Sequence, residues 1–403
     1  MITSTTGPQP ADFADVRATN LAVVLRFVRE HAPCSRADIA ASTGLNKATV
    51  SSLVADLIDR RLVRETGLTE NRVGRPATML VLDGSPYAAI GVEINVDTVS
   101  AVATDLAGER LLTWRRSFSG GESVNQGVAG VGAIIRRVVS RMAREERQVL
   151  GLAVALPGLI DVQGIVRIAP NLGWHDADIG GDLAKALRDP GFPIQVDNDA
   201  NLGALAEQRF GAHAGASDLV YLTGELGVGA GVILDGRLRR GGRGYSGEIG
   251  HVQLDPEGPV CRCGRRGCLE AMAGIGAVLR RDPSPAEIQI EIEEVVRLAR
   301  AGDAGTLGTL GEVGRSLGRG VAILANLLNP EVVILGGYYV PLAPWLLPGV
   351  HEEVGSRVIA AEAGGLQVVA STLGYDAAAL GGAARVLDSV DSGRLPGGLS
   401  RIP

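Results

Sequence analysis

The sequence predicts an α/β protein in which a small N-terminal helical domain with a β-wing precedes a larger α/β body. Two observations lead to this prediction: a helix, glycine turn and helix pattern before residue 83, and β-rich segments that alternate with helical ones after it. A chain of 403 residues has room for two or three domains. The predicted boundaries are 1–16 for a flexible N-terminus, 17–82 for the first domain, 86–198 plus 377–390 for a smaller lobe and 199–376 for a larger lobe.

The composition argues against several classes of protein. Lysine and arginine total 39 against 45 aspartates and glutamates, a net charge of −6, so the chain is not built to coat nucleic acid or membrane along its whole length. No basic segment followed by an apolar run stands at the start, and every apolar run is interrupted well before the roughly 20 residues of a membrane helix. We therefore expect a cytoplasmic protein with no membrane partner.

The first domain opens with two helix signals. Apolar residues recur at helical spacing between positions 20 and 30, at Leu21, Val24, Leu25 and Val28. Ser35 followed by Asp38 is the pattern of a capping box, which predicts a short second helix through residue 41. The residues Ser42, Thr43 and Gly44 then provide a turn.

A third helix and a wing complete the domain. Asn46 can cap a helix whose apolar stripe consists of Val50, Leu53, Val54 and Leu57. After it, 60–65 and 77–82 are predicted as strands on either side of the polar loop 66–76. Together these elements form a winged helix-turn-helix pattern.

This pattern places particular side chains where DNA would be read. The first turns of the second helix of a helix-turn-helix face base edges in the major groove. The candidates there are Asn46, Lys47, Thr49, Ser51 and Ser52. In the wing, Gly74 and Arg75 fit a minor-groove insertion, and Arg72 fits a phosphate contact. The alternative is a plain three-helix domain used for protein contacts. The charge to Leu82 is +2, which leaves −8 on the body.

The body has the pattern of repeated strands that end in turns. Three β-rich segments from residue 88 predict a meander, and a helix is predicted over 124–146. The apolar strand 149–161 contains a Pro-Gly turn, and 193–211 has the pattern of a strand, a polar turn and an alanine-rich helix. The glycine-rich segments 219–236 and 332–337 are assigned to the same strand, turn and helix pattern. Ligands of α/β folds bind at such strand ends.

Cysteine spacing points to a metal site. Three of the four cysteines, Cys261, Cys263 and Cys268, lie within eight residues, and His251 stands ten residues before them. Three thiolates and an imidazole make a closed tetrahedral zinc site, so we predict one structural zinc per chain. A reduced, metal-free loop is the alternative. The remaining Cys34 is predicted to be a packing residue.

Three longer motifs resemble the ROK family, named for repressors, open reading frames and kinases of sugars. They are VDNDANLGALAE at 196–207, GYSGEIGH at 244–251 and CRCGRRGCLEAMAG at 261–274. The resemblance covers about 86–390, and the preceding winged helix-turn-helix is similar to that of the family's NagC, Mlc and XylR type of regulator. It implies a two-lobed, actin-like body of ribonuclease-H type with a monosaccharide in the cleft. The histidine and three cysteines match the family's zinc motif.

The resemblance also implies a set of sugar contacts. A sugar hydroxyl both donates and accepts, so its partners are fixed carboxylates and amides. The residues that match the family's sugar contacts are Asn198, Asp199, Glu248, His251 and Glu270. His251 would serve twice, with one ring nitrogen on zinc and the other toward a hydroxyl. Asn171, in the APNLGW turn, is a further candidate.

The remaining choice lies between a kinase and a sensor. In the family's kinases Asp199 would be the base that takes the hydroxyl proton. Those kinases also carry an Asp-x-Gly-Gly-Thr-Lys phosphate loop, whereas this chain has Glu93, Asn95 and Asp97 in that stretch and Glu225 before the second glycine-rich turn. We therefore expect no nucleotide and no catalytic residue, with Asp199 as a vestigial base.

The sequence thus favours a sugar-responsive regulator, most simply a repressor. Its expected partners are operator DNA and a monosaccharide or sugar-phosphate effector, and its expected assembly is a homodimer or a tetramer. Two alternatives stay open: an ATP-dependent sugar kinase with a fused DNA-binding domain, and a regulator whose body serves as a docking surface for another protein.

Overall fold

The computed structural model describes residues 13–68, 77–118, 123–282, 288–359, 365–394 and 396. The helices are α1 Phe13–His31, α2 Arg36–Thr43, α3 Lys47–Asp59, α4 Val124–Arg144, α5 Ile179–Ala186, α6 Asp199–Phe210, α7 Leu269–Ala273, α8 Ile275–Leu279, α9 Ile288–Arg300, α10 Ala304–Leu328, α11 Tyr339–Arg357 and α12 Ala377–Asp391. No helix among the described residues combines the length and the apolar character needed to cross a membrane.

The strands form two small sheets and two larger ones. They are β1 Cys34–Ser35, β2 Val63–Leu68, β3 Thr78–Leu82, β4 Tyr87–Ile94, β5 Thr98–Thr104, β6 Arg110–Ser117, β7 Gln148–Leu156, β8 Leu159–Ile160, β9 Val166–Ala169, β10 Trp174–Ala177, β11 Ile194–Asn198, β12 Leu219–Gly224, β13 Val228–Leu234, β14 Arg237–Leu238, β15 Val332–Gly337 and β16 Gln367–Ala370. The small sheets have the orders β1-β3-β2 and β10-β9-β8.

The first domain is a winged helix-turn-helix. The capping box of α2 is present, because the Ser35 hydroxyl accepts from the Asp38 N–H and the Asp38 carboxylate accepts from the Ser35 N–H. Asn46 caps α3 by accepting the Thr49 N–H at 2.8 Å. Gly44 between the two helices has φ of +71°, a value that favours glycine. The predicted caps and turn are therefore confirmed.

Three details of this domain differ from the sequence predictions. Helix α1 begins at Phe13, inside the segment predicted to be flexible. The wing starts at Val63 and not at residue 60, because Arg60 ends α3 and Arg61 turns the chain with φ of +56°. Cys34 is buried as predicted, but it also starts a two-residue strand that pairs with β3. The wing loop 69–76 lies outside the described residues.

The body consists of two lobes, each built on a five-stranded sheet. The smaller-lobe sheet has the order β11-β7-β4-β5-β6, and the larger-lobe sheet has the order β14-β13-β12-β15-β16. The predicted meander is confirmed, since β4, β5 and β6 are consecutive antiparallel neighbours. The segment 219–236 differs from its prediction: it is the antiparallel hairpin β12–β13, with no helix after its first strand.

Helices α6 and α12 pack against each other between the two sheets. Helix α12 lies on the smaller-lobe sheet so closely that a Cβ at Gly91 of β4 would stand 1.8 Å from the Ala379 carbonyl oxygen. Helix α6 lies on the larger-lobe sheet, where a Cβ at Gly231 of β13 would stand 2.1 Å from the Ala200 carbonyl oxygen. Where the helices meet, a Cβ at Gly381 would come within 1.7 Å of the Leu202 carbonyl oxygen. Only glycine permits these backbone contacts.

The winged domain shares a hydrophobic core with the smaller lobe. Apolar residues of α1 and α12 are buried in this shared core. They are Leu21, Val24, Leu25 and Val28 from α1, and Ala383, Val386, Leu387 and Val390 from α12. The first helix of the DNA-binding domain is therefore fixed to the helix that covers the smaller-lobe sheet.

Candidate functional site

A cavity of about 540 Å³ lies between the lobes. It is bounded by the end of β7 and the turn after it, by the start of α6, by the β12–β13 turn and by the cysteine-rich loop. All six predicted sugar-site residues line it: Asn171, Asn198, Asp199, Glu248, His251 and Glu270. Residues from segments far apart in sequence thus meet in one place.

The inner wall of the cavity is formed where β11 passes into α6. Asn198 caps α6, with its side-chain oxygen accepting the N–H groups of Ala200 at 2.9 Å and Asn201 at 3.2 Å. Its amide nitrogen donates to the Gly158 carbonyl oxygen at 3.1 Å. Asp199 accepts the Ala200 N–H at 2.8 Å. Both side chains are therefore held in place by the backbone before any ligand arrives.

The outer wall comes from the cysteine-rich loop and the turn before it. Glu248 and His251 stand on either side of a short 3₁₀ turn, and Glu270 belongs to α7. Glu270 accepts the Val228 N–H at 3.1 Å, and the Cys261 thiol donates to its other oxygen at 3.5 Å. These bonds connect the loop to the β12–β13 turn across the cavity.

The His251, Cys261, Cys263 and Cys268 side chains meet in one cluster that could hold a metal ion. Their ligand atoms all lie within 4.8 Å of one another, with 3.7 Å between the sulfurs of Cys263 and Cys268 and 3.9 Å between Cys261 Sγ and His251 Nδ1. A tetrahedral ion with metal–sulfur bonds of about 2.3 Å places its sulfurs about 3.8 Å apart. The arrangement fits such an ion.

Three carboxyl groups converge at the inner end of the cavity. Glu93 and Glu225 join Asp199 around a void of about 10 Å³, and the Asn95 amide donates to Glu225 at 3.3 Å. Burial raises the pKa of Glu93 to about 8 and that of Asp199 to about 7. Burial, reinforced by Glu93 and Asp199, raises the pKa of Glu225 well above its ordinary range. Of the three polar residues that the sequence placed in this stretch, Glu93 lines the void, Asn95 binds Glu225, and Asp97 is close enough to raise the pKa of Glu93.

Some lining residues were not identified from the sequence. Gly158 and Thr223 line the cavity at or just beyond the ends of β7 and β12, and Arg262 reaches it from within the cysteine motif. The rule that ligands bind at strand ends points to the first two. Nothing in the local sequence distinguishes Arg262 from the neighbouring arginines.

The predicted DNA-reading residues occupy the start of α3. Asn46, Lys47, Ser51 and Ser52 are exposed and Thr49 is half-buried. The Asn46 side-chain oxygen is engaged in the helix cap, so only its NH₂ group faces outward freely. The wing candidates Arg72, Gly74 and Arg75 lie outside the described residues.

The buried carboxyl groups predict a pH-dependent stability. Unfolded glutamates titrate near pH 4.3, so the folded protein retains the Glu93 proton up to about pH 8 and loses stability as pH rises through that interval. The groups around Glu93 are Asp97, Asp199, Glu225 and Asp376, with Arg115 of opposite charge. Replacing Glu93 by Gln removes one of the repelling charges.

We expect Glu93→Gln to melt close to the parent temperature at pH 5 and at least about 2 °C above it at pH 8.5. Differential scanning calorimetry at both pH values measures the difference. The exposed Glu352→Gln variant is the control and should follow the parent at both. If Glu93→Gln changed the melting temperature by the same amount at the two pH values, the assigned charge repulsion would be wrong.

The chain matches two families of known proteins. Residues 89–389 match the ROK family, and residues 22–71 match the MarR family. The chain is 33% identical over 379 residues to the xylose repressor of Bacillus subtilis (strain 168), covering 94% of this chain and 97% of the repressor. It is 28% identical over 407 residues to the DNA-binding transcriptional repressor Mlc of Escherichia coli (strain K12), covering 96% and 97%.

Solved structures show the same relationship. A crystal structure of a ROK family transcriptional regulator, a homologue of the E. coli Mlc protein, aligns with a TM-score of 0.80 at 28% identity and covers 94% of this chain and 98% of that one. A ROK family glucokinase from Streptomyces griseus in complex with glucose and AMPPNP aligns with a TM-score of 0.63 at 28% identity, covering 74% of this chain and 98% of the kinase. The family match spans most of the body, and the regulator match also includes the winged domain. The chain therefore belongs to the ROK family.

Proposed function

We propose that this protein is a DNA-binding transcription regulator, acting as a repressor, whose affinity for its operator changes when a monosaccharide binds between the lobes. The observation that carries the proposal is the coexistence, in one chain, of an exposed recognition helix and a preformed interlobe cavity lined by carboxylates and amides. The xylose repressor and Mlc relatives match both parts over nearly their whole length, which supports the same combination here.

The DNA-binding part rests on the surface of α3. The exposed Lys47 at the first position of α3 lies beside hydroxyl side chains, a combination suited to base edges and phosphates in the major groove. A two-fold operator would be read by a dimer of chains. We propose a homodimer or a tetramer for that reason.

We predict that Lys47→Ala weakens operator binding by at least about 5-fold, because one phosphate or base contact is lost. Electrophoretic mobility shift with a duplex selected in vitro by the full chain measures the affinity. The control is Lys185→Ala, an exposed lysine of α5 that pairs with Asp182. Equal affinity of the Lys47 variant and the parent would argue against α3 as the reading helix.

The sensing part rests on the charge of the cavity. Four carboxyl groups line it, at Asp199, Glu225, Glu248 and Glu270, and its cationic side chain is the exposed Arg262. Several N–H groups along its wall already bind the protein's own side chains: those at the start of α6 bind Asn198 and Asp199, and that of Val228 binds Glu270. An uncharged monosaccharide suits this cavity better than a sugar phosphate.

A sugar kinase is the second candidate, favoured by the position of Asp199 at the inner wall and by the resemblance to the glucokinase. Against it, Glu93 and Glu225 crowd Asp199 where the triphosphate of a bound nucleotide would approach, and no lysine or arginine is among the described residues that line this void. Each proton that these carboxyl groups lose adds a negative charge there, which repels phosphate. The Asn95–Glu225 hydrogen bond further closes this end of the cavity. We therefore propose binding without turnover and no nucleotide cofactor.

We predict that one of D-xylose, D-glucose and N-acetylglucosamine raises the melting temperature of the full chain, because a ligand of the folded state stabilises it. Asp199→Asn or Glu270→Gln should weaken that binding at least about 10-fold, measured by calorimetric titration. Glu312→Gln, on the exposed side of α10, is the matched control. Sugar-dependent ADP release with Mg-ATP that Asp199→Asn abolishes would instead establish the kinase.

We further propose that the Cys3His cluster holds one structural zinc ion. Three sulfurs and one imidazole nitrogen form the donor set that zinc prefers, and two of the cysteines are buried. The ion would fix the loop that carries Glu270 and orient the His251 ring so that Nε2 faces away from it.

Purified protein is predicted to contain about one zinc per chain by atomic emission spectroscopy. Cys268→Ser should lose the ion, lower the melting temperature and weaken sugar binding, because the loop that positions Glu270 loses its anchor. The control is Cys34→Ala, a buried cysteine of the winged domain. Metal-free parent protein that binds sugar normally would exclude the proposed role.

A further inference from the structure

Helix α6 leads from the cavity to the edge of the larger lobe. It begins at Asp199 in the cavity wall, with Asn198 as its cap, and ends at Phe210 after twelve residues. A helix of that length spans about 18 Å and moves as a rigid rod. Arg209 lies in its last turn, and only 14% of its side chain is exposed. Displacement of the ligand-binding end of α6 therefore displaces Arg209.

Arg209 crosses from the larger lobe to the smaller one. Its Nη1 donates to Asp388 Oδ1 at 3.1 Å and to Asp391 Oδ2 at 2.8 Å, both on α12. Because α6 lies on the larger-lobe sheet and α12 on the smaller-lobe sheet, these hydrogen bonds span the surface across which the lobes would move. The two acceptors stand three residues apart, on one face of α12.

Asp391 also binds the DNA-binding domain. Its Oδ2 atom accepts from Arg29 Nη1 on α1, so two guanidinium groups share one carboxylate oxygen that is almost fully buried. Within the described part of the chain, this is the ion pair that joins a helix of the winged domain to the lobes. The other polar contacts between them are made by residues 60–62 of the winged domain. Their partners are the linker residues Asp83 and Ser85, the Tyr87 hydroxyl and the Pro396 carbonyl oxygen.

We propose that the chain of contacts from Arg209 through Asp391 to Arg29 transmits the state of the cavity to the DNA-binding domain. The proposal rests on the proposed function and names how that function is regulated. Lobe closure on a sugar shifts α6 against α12 and moves Arg209 between Asp391 and Asp388. The strength of the hydrogen bond between Asp391 and Arg29 changes as a result, and α1 changes its tilt on α12. A switch of this kind requires two discrete arrangements, one with Arg209 on Asp391 and one with Arg209 on Asp388.

The arrangement differs from an ordinary stabilising ion pair. A partly buried pair adds little to stability, because desolvation offsets much of the attraction, and the apolar α1–α12 contact already fixes the domain. The three charged residues come from three separate parts of the fold, which a purely local contact would not require. Arg209 is thus a positioning residue that touches neither sugar nor DNA.

The test measures operator affinity with and without sugar on the full chain. The probes are a fluorescent duplex selected in vitro by the protein, and D-xylose, D-glucose and N-acetylglucosamine. In the parent the effective sugar should change operator affinity between about 5- and 150-fold, and the duplex should change sugar affinity by the same factor. In Arg209→Ala both factors should fall below about 3-fold, while sugar affinity without DNA stays within about 3-fold of the parent.

Two further variants locate the effect. Arg29→Gln, at the other end of the chain of contacts, should reduce the effect of sugar on operator affinity as much as Arg209→Ala does. The double variant, with both substitutions, should reduce it no further than either single variant. Arg209→Lys should retain a larger sugar effect than Arg209→Ala because it keeps the charge. The matched control is Arg319→Ala, whose partner Glu353 lies within the larger lobe; it should behave as the parent does.

The outcomes separate this inference from the proposed function. A parent that binds sugar and DNA with no mutual effect would overturn both. A sugar effect that survives intact in Arg209→Ala and Arg29→Gln would overturn the inference alone. If Arg209→Ala folds poorly, as a lowered melting temperature would show, Arg29→Gln decides, because Asp391 there remains paired with Arg209.

Discussion

The contact between α6 and α12 is the constraint on which the rest of the structure depends. Backbone meets backbone there, at Gly381 against the Leu202 carbonyl, and similar contacts attach each helix to the sheet of its own lobe. Such close packing limits any movement between α6 and α12 to a small sliding of one helix along the other. Because α1 packs on α12, the DNA-binding domain is mechanically part of the same assembly.

The cavity combines this geometry with an unusual charge distribution. Carboxyl groups from both lobes, Glu93 from the smaller and Glu225 from the larger, approach the same point as Asp199. In a nucleotide-binding relative of the same fold, this region would need donors for phosphate oxygens. Here the N–H groups of Ala200, Asn201 and Val228 already bind the protein's own oxygens. Under the proposed function the cavity would bind a sugar without phosphorylating it, which accords with the match to named repressors over 94% and 96% of the chain.

The cysteine-rich loop forms part of the outer wall of the cavity, which neither sheet provides. It lies outside both sheets, and Glu270 reaches the cavity from α7, which begins directly after Cys268. A short helix such as α7 has little stability of its own. A bound ion would give the loop the rigidity that its glycines remove, so that the outer wall of the cavity is fixed before the ligand binds.

The sequence by itself determined the features that local interactions control. The capping box at Ser35, the Asn46 cap and the meander from residue 88 depend on neighbouring residues or on strand periodicity, and the spacing of the cysteine cluster is short. Only the tertiary structure decided which side chains come together from distant parts of the chain. Glu93 lies beside Glu225, and Asp391 binds both Arg209, which is 182 residues away in sequence, and Arg29, which is 362 residues away. No local pattern encodes such pairs, since they arise only when two sheets and two helices pack into one body.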